Sequence, residues 1–343
     1  MSEVSTIGLD IAKNVFHAYG ADASGKPLFS RKISRTKLLD FFAEQPRCLV
    51  ALEACGGAHH WARELTQQGH KVKLIPPAYV KPFVKRNKND AVDAEAICEA
   101  AQRPNMRFVA IKSEEQQASA LVFRTGDLMV RQRTQLINAI RGHLTEYGWV
   151  APKGPSHVAV LVDLLDGELG SSLPDGATPM FHSMLELLEV LDGKIIELDK
   201  QIVRRAREDV IARRLMTIPG VGPITATAIA ALAPPVETFT KGRDFAAWLG
   251  LAPRQISSGG KQKLGPITKM GERTLRRLII IGCSAVVLQA SRRGAPAGSW
   301  LEQMMARKPR MLVTVALANK TARIIWALLV SQQEYKAPVT AAA

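Results

Sequence analysis

Cysteine is scarce in this chain, and its few cysteines are not paired. The 343 residues include four, Cys48, Cys55, Cys98 and Cys283, without the spacing of a zinc site or a disulfide framework. The sequence therefore predicts free, mostly buried thiols and a reducing compartment.

Long apolar runs and a secretory signal are also missing from the sequence. No stretch approaches the ~20 consecutive apolar residues that a membrane-spanning helix requires. Residues 1–10 lack a basic segment followed by an apolar one. We therefore expect a cytoplasmic, nucleoid-associated location and no membrane partner.

Acidic residues are outnumbered by basic ones. There are 31 Asp and Glu against 46 Lys and Arg, which gives a formal net charge of +15. Such an excess favours an anionic polymer as partner, and nucleic acid is the usual one. Charge by itself does not distinguish DNA from RNA, or either of them from an anionic membrane.

The first hundred residues alternate between strand and helix patterns, in the order βββαβαβα. The segment CLVAL at 48–52 is short and apolar, which is typical of a strand buried on both faces. A strand over 71–75 ends at two prolines, and a helix is predicted over 90–102. We expect residues 1–105 to form an α/β sandwich around a mixed sheet.

The rest of the chain is predicted to be mainly helical. Apolar stripes at helical spacing run through 113–147 and from 179 to 202. Two such helices favour an antiparallel hairpin or a coiled-coil dimerisation arm in residues 106–205, and hence a dimer or tetramer. Residues 206–335 are predicted to form a basic, mainly helical C-terminal domain, in which 254–271 is rich in Gly, Ser and Lys and 253–261 is predicted to be a flexible loop.

Four acidic residues occupy positions that a sheet would bring together. Asp10 ends the first strand, Glu53 ends the fourth, and Asp90 and Asp93 share one face at a helix start. Taken singly, each is better explained by a turn or by the helix dipole. Taken together, four carboxylates at one sheet edge would repel one another unless Mg²⁺ or Mn²⁺ lay between them.

A second group of candidate residues follows in the C-terminal domain. The segment PRQISSGGK at 253–261 offers hydroxyls, backbone N–H groups and cations, which suit a phosphate. An unassisted serine is a poor nucleophile, so the residues alone favour phosphate contact over catalysis. The basic residues predicted to contact phosphate here are Arg254, Lys261, Lys263, Lys269, Arg273 and Arg276.

The segment IPGVG at 218–222 resembles the hairpin of a helix-hairpin-helix element. Backbone N–H groups around Gly220 and Gly222 would grip a phosphate in such a hairpin without reading sequence. A tight turn between two packed helices explains the same glycines equally well.

Several motifs together resemble the DEDD-type insertion-sequence transposases. They are IGLDIAK at 7–13, LEACGGAH at 52–59, NKNDAVDA at 87–94, RQRT at 131–134, NAIRG at 138–142 and VALANK at 315–320. The resemblance covers nearly the whole chain, in the family's order. The family includes the Piv DNA invertase, and its N-terminal domain is similar to the RuvC resolvase.

The resemblance implies an RNase H-like (RuvC-like) N-terminal domain and catalytic, metal-binding roles for Asp10, Glu53, Asp90 and Asp93. It also implies that Ser258 is the nucleophile, with Ser257 the adjacent alternative. Ser258 would form a transient covalent link to a DNA 5′ phosphate, activated by Mg²⁺ or Mn²⁺. The implied partners are double-stranded DNA, as element ends and target, and a structured non-coding guide RNA.

Three hypotheses about function follow. The first is a transposase that uses metal and serine together to cut and rejoin DNA. The second is a RuvC-like Holliday-junction resolvase or nuclease, for which the carboxylates suffice. The third is a non-catalytic nucleic-acid-binding protein. The joint occurrence of the acidic set, the helical arm and the serine segment favours the first.

Overall fold

The computed structural model describes residues 3–85, 89–150 and 172–337, with four further positions between 160 and 167. The chain divides into two compact units, Met1–Gln117 and Ala118–Ala343. The first is mixed α/β, and the second is mainly helical.

A five-stranded mixed sheet forms the centre of the first unit. Its strands are β1 (Thr6–Asp10), β2 (Val15–Ala21), β3 (Pro27–Ser34), β4 (Leu49–Glu53) and β5 (Lys71–Ile75). The strand order is β3-β2-β1-β4-β5, in which β2 runs antiparallel to both its neighbours and β1, β4 and β5 are parallel. This architecture agrees with the predicted strand and helix order and is consistent with a RuvC-like domain.

Helices cover both faces of this sheet. They are α1 (Leu38–Ala43), α2 (Ala58–Gln67), the short α3 (Pro77–Val80) and α4 (Asp90–Ala101). Successive strand residues point to opposite faces. Leu9 and Leu52 accordingly pack in one core with Leu65 of α2, while Ala51 packs in another with Ile97 of α4. The fourth strand is therefore buried on both faces, as predicted.

Two long helices of the second unit lie antiparallel to each other. They are α5 (Glu114–Glu146) and α6 (Thr178–Glu208). A methyl group at Gly126 would touch Leu198, and further along α5 an ion pair of 2.6 Å joins Arg133 to Asp192. Position rises along α5 as it falls along α6, which gives the antiparallel direction. A role of this pair in dimerisation remains a prediction.

Further helices follow α6 in the second unit. They are α7 (Val210–Leu215), α8 (Pro223–Leu232), α9 (Gly242–Trp248), α10 (Arg273–Arg293), α11 (Trp300–Arg307) and α12 (Arg310–Ser331). All but α11 contribute buried residues to one apolar core. Helices α10 and α12 are long and apolar enough to cross a membrane by length and composition alone. Their apolar faces, with Ile279 and Ile325, lie in the core of this unit.

A two-stranded hairpin stands between α9 and α10, where the sequence predicted a flexible loop. Strand β6 (Pro253–Gln255) pairs antiparallel with β7 (Leu264–Ile267). The prediction of a flexible loop was wrong because Gly and Ser were taken as signs of flexibility, whereas paired glycines also build the tightest hairpin turns.

Candidate active site

The ends of β1 and β4 place Asp10 and Glu53 side by side. These strands are parallel neighbours, and their paired positions end with Leu9 opposite Leu52. Both leucines face the α2 side of the sheet, so the next residue on each strand faces α4. Asp10 and Glu53 therefore share one face at one edge of the sheet.

Helix α4 adds two further carboxylates to this edge. Cys98 Sγ lies 3.8 Å from the Thr6 carbonyl oxygen at the start of β1, and a methyl group at Gly8 would overlap the carbonyl oxygen of Ala94. Residues 98 and 94 thus lie over positions 6 and 8, so the next turn of α4 carries Asp90 over position 10. Asp93 is on the same first turn of the helix.

Electrostatic effects on two neighbouring side chains are consistent with this placement. Burial raises the pKa of the Cys55 thiol, and the charges of Glu53 and Asp10 raise it further. Burial also lowers the pKa of His17, with Lys32 acting in the same direction and Asp90 opposing it. Cys55 therefore lies within the field of both strand carboxylates, and His17 within the field of Asp90.

We name Asp10, Glu53, Asp90 and Asp93 the carboxylate edge. Their oxygen donors match the preference of Mg²⁺ and Mn²⁺. Among the residues that the structure describes, no three His, Cys, Asp or Glu side chains converge to metal-binding distances. A bound cation would therefore have to draw these side chains closer together. Their carboxylate oxygens are ligands of the kind that such a cation binds. Residues 87 and 88 of the third motif lie outside the described residues.

The tip of the β6–β7 hairpin carries the candidate nucleophile. The Lys261 amide donates to the Ser258 carbonyl oxygen at 3.1 Å, which closes a four-residue turn. Gly259 and Gly260 between them both have positive φ, at 56° and 75°. This is the pattern of a type I′ hairpin turn, in which both central residues have positive φ. Glycine adopts positive φ readily because it has no β-carbon to clash with the backbone.

The two serines before this turn have different surroundings. The hydroxyl of Ser257 accepts a hydrogen bond from the Lys263 amide at 3.1 Å, so it belongs to the framework of the hairpin. Ser258 is exposed, and its hydroxyl makes no hydrogen bond within the described parts of the chain. Ser258 is consequently the serine whose hydroxyl is available to a ligand.

The base of the hairpin is fixed by close backbone packing. A methyl group at Gly250 would overlap the carbonyl oxygen of Met270 and lie 2.7 Å from its amide nitrogen. Arg276 Nη1 donates to the carbonyl oxygens of Leu249, at 2.9 Å, and of Met270, at 3.2 Å. Both ends of the segment are therefore held together at a closely packed base, and the exposed tip projects from it.

The basic residues predicted to contact phosphate fall into two groups. Five are exposed, namely Arg254, Lys261, Lys263, Lys269 and Arg273. The sixth, Arg276, is partly buried, and burial lowers the pKa of its guanidinium. Because its Nη1 already binds two carbonyl oxygens, Arg276 has a structural task in the hairpin base. Phosphate contact by all six stays a prediction.

The turn between α7 and α8 contains the two glycines of the IPGVG segment. Gly220 has a φ of 84°, and a methyl group there would lie 2.9 Å from the carbonyl oxygen of Gly282 in α10. Packing of the turn against α10 thus explains Gly220. Gly222 is exposed, precedes the first residue of α8 and has open space around its Cα. Phosphate binding by either glycine stays a prediction.

Sequence reasoning missed two residues at these sites. His17 lies opposite Asp10 in β2, which the antiparallel register of β1 and β2 reveals. Asp127 of α5 accepts a hydrogen bond from Thr274 Oγ1 at 3.0 Å and pairs with Arg277. The strand patterns of β1 and β2, together with the length of the turn between them, would have predicted that His17 lies opposite Asp10. Nothing in the local sequence connects Asp127 with residues about 150 positions away.

Comparison with known proteins gives family matches over both segments that contain the candidate residues. A family model described as "Transposase IS116/IS110/IS902 family" matches residues 212–296, and the model of DEDD-type IS110 transposases, described as "Transposase", matches residues 7–148. The first match includes the serine hairpin, and the second includes the whole carboxylate edge.

Full-length relatives are also similar to this chain. A "Probable family 20 transposase" of Pseudomonas aeruginosa is 45% identical over 334 residues, covering 97% of this chain and 99% of the relative. The "Transposase for insertion sequence element IS1328" of Yersinia enterocolitica is 39% identical and covers 95% and 97%. The "Transposase for insertion sequence element IS1111A" of Coxiella burnetii is 39% identical and covers 98% and 92%.

These matches define the protein as a transposase, an enzyme that cleaves and rejoins DNA. The chain belongs to the IS110/IS116/IS902 family of insertion-sequence transposases.

Proposed function

We propose that this transposase recombines DNA with two sets of residues, the carboxylate edge and the hydroxyl of Ser258. The observation that carries the proposal is that four carboxylates lie at the same edge of the sheet, two at strand ends and two on the first turn of α4. Carboxylate oxygens are the ligands that Mg²⁺ and Mn²⁺ prefer, which supports a metal-dependent reaction at this edge. The free hydroxyl at the hairpin tip supports the second part of the proposal.

The carboxylate edge would hold Mg²⁺ or Mn²⁺. When bound, such ions supply charge neutralisation and polarisation at a phosphodiester. The proposal also assigns an RNase H-like fold to the first unit. The strand order β3-β2-β1-β4-β5 supports this assignment, because in this order both strand carboxylates lie next to α4.

Ser258 would act as the nucleophile. Its Oγ forms an ester with a DNA 5′ phosphate as the bond from phosphorus to the 3′ oxygen breaks, and the hydroxyl proton passes to that 3′ oxygen. Attack by a 3′ hydroxyl of another strand reverses the exchange and releases Ser258. Bond energy is conserved in the serine ester, so rejoining needs no further energy source. Ser257 is disfavoured because its hydroxyl already accepts from the Lys263 amide.

A junction assay in cells tests this division of roles. The gene is supplied with its native flanking DNA, and PCR detects the joined ends of an excised element. Wild type is compared with Asp10→Asn, Ser258→Ala and Ser257→Ala. We expect junctions from wild type and at least some from Ser257→Ala, and none from Asp10→Asn or Ser258→Ala.

Two other outcomes would contradict the proposal. Junctions from Ser258→Ala but not from Asp10→Asn would show that the carboxylates act without this serine, as in a resolvase or nuclease. Junctions from both variants would mean that neither residue set performs the chemistry.

The proposal includes partners. Element ends and target DNA, a structured guide RNA and further copies of the chain would assemble in the cytoplasm, and the net charge of +15 supports polyanionic partners. Protein purified from cells that carry the native flanking DNA should retain one discrete RNA. Heterogeneous RNA that moderate salt removes would contradict a dedicated guide.

A further inference from the structure

His17 lies beside the carboxylate edge and on the same face of the sheet. In the antiparallel pairing of β1 and β2 it is directly opposite Asp10. Its neighbours Phe16 and Ala18 pack in the core on the α2 side, so the side chain of His17 faces α4. Directly opposite residues on one face of a sheet have Cβ atoms ~5 Å apart. His17 and Asp10 are therefore within reach of one shared ligand.

The two ring nitrogens of His17 differ in their surroundings. Nε2 is 2.8 Å from Ser30 Oγ, whereas Nδ1 is buried without a hydrogen-bond partner within the described part of the chain. The residue is 6% exposed, so water does not readily supply that partner. Buried polar atoms are nearly always paired in folded proteins, so we expect this nitrogen to bind a ligand.

A metal ligand is the occupant that the surroundings favour. Histidines that bind metals use one ring nitrogen for the ion and donate the other N–H to a nearby oxygen. Ser30 Oγ is in place to accept from Nε2–H, which leaves the lone pair of Nδ1 free.

We propose that Nδ1 of His17 is a nitrogen ligand of the cation site at the carboxylate edge and biases that site toward Mn²⁺ over Mg²⁺. An imidazole ligand favours transition metals, whereas Mg²⁺ takes oxygen ligands almost exclusively. This inference rests on the proposed metal site and adds a ligand of a different chemical class to it.

Electron spin-echo spectroscopy of Mn²⁺ added to the full-length protein tests the inference. A ¹⁴N nucleus bonded to Mn²⁺ modulates the echo, so wild type should show this nitrogen coupling and His17→Gln should not. We expect Mn²⁺ affinity, from an EPR titration, to fall at least ~10-fold in His17→Gln. Mg²⁺ affinity, measured by competition, should change less than about twofold.

Two further variants serve as controls. His60 is exposed and lies 3.8 Å from Glu64, so His60→Gln should keep both the coupling and the affinity. Ser30→Ala removes the partner of Nε2 at an exposed position and should weaken Mn²⁺ binding while preserving the nitrogen coupling. It keeps the inference testable if His17→Gln fails to fold, which circular dichroism would reveal.

The outcomes separate this inference from the proposed function. Mn²⁺ binding that needs Asp10 but shows no ¹⁴N coupling in wild type would overturn the role of His17 alone. That result would fit the other tautomer, in which Nδ1–H donates to a carboxylate. Mn²⁺ binding that is the same in wild type and Asp10→Asn would overturn the metal site itself. Coupling that persists in His17→Gln would assign the nitrogen to another residue.

Discussion

Gly8 is the point at which α4 lies closest to β1, and its replacement by alanine tests how the carboxylate edge is held. The added methyl group would overlap the Ala94 carbonyl oxygen and lie 2.5 Å from the Cys98 amide nitrogen. Optimal non-bonded contacts are ~3.5–4.0 Å, so α4 must move by roughly 1 Å or more. The atoms in the way belong to a helix backbone, which cannot turn aside as a flexible side chain would.

The cost of this substitution is set by overpacking. Extra methyl groups in a packed core cost about 1–3 kcal/mol, and backbone obstacles place Gly8→Ala toward the upper end. About 2–3 kcal/mol corresponds to a roughly 30- to 150-fold larger opening constant for the β1–α4 pair. The displacement also moves Asp90 away from Asp10, so junction formation should fall together with stability.

Hydrogen exchange by mass spectrometry on the full-length protein measures this effect locally. Peptides from β1 and α4 should exchange faster in Gly8→Ala, while peptides from the second unit should not change. Gly56→Ala is the matched control, because a methyl group there meets no atom of the described residues within 4 Å and φ is not positive. If β1 and α4 of Gly8→Ala exchange within twofold of wild type, α4 is not seated on Gly8. The register that brings Asp90 to Asp10 would then be wrong.

Three more predictions concern packing and ionisation. In Gly282→Ala the added methyl group would overlap the Gly220 carbonyl oxygen in the turn before α8. We expect a thermal melt to show about 1–3 kcal/mol of destabilisation. The control Gly142→Ala should show almost none, because the described residues leave open space there. Arg276→Ala should expose the hairpin base to limited proteolysis, whereas the exposed Arg273→Ala should leave cleavage unchanged. Burial raises the pKa of Cys98 from 9.0 to about 11. Because the unfolded thiol ionises first, the free energy of unfolding should fall from pH 9 to pH 11. The fall should be smaller in Cys98→Ala, and an equal fall in both proteins would exclude this thiol as its cause.

Much of the first unit was open to prediction because its signals are local. The apolar segment at 48–52 identified a strand buried on both faces, and Val50, Ala51 and Leu52 are indeed inaccessible to solvent. Two prolines after Ile75 marked the end of β5, and Asn89 caps α4 by accepting from the Val92 amide at 3.0 Å. Periodicity, caps and chain breakers act over a few residues, so one sequence displays them.

The serine hairpin shows where local signals are ambiguous. The segment 257–260 has the residues of a disordered loop and equally those of a type I′ turn. The choice was made by Gly250, by the Arg276 side chain and by the carbonyl oxygens that they meet. A different contact, the hydrogen bond from the Lys263 amide to the Ser257 hydroxyl, distinguishes Ser257 from Ser258. Sequence order alone gave no reason to prefer either serine beyond the family resemblance.

The sequence by itself determined on which kind of element each candidate residue lies. Asp10 and Glu53 at strand ends, Asp90 and Asp93 on a first helical turn and the basic surplus could all be inferred in this way. Only the tertiary structure decided which face of the sheet they share and where α4 begins relative to β1. It also decided that the side chain of His17 lies on that same face. Those relations depend on strand register and on one close backbone contact at Gly8, and both connect residues that are far apart in sequence.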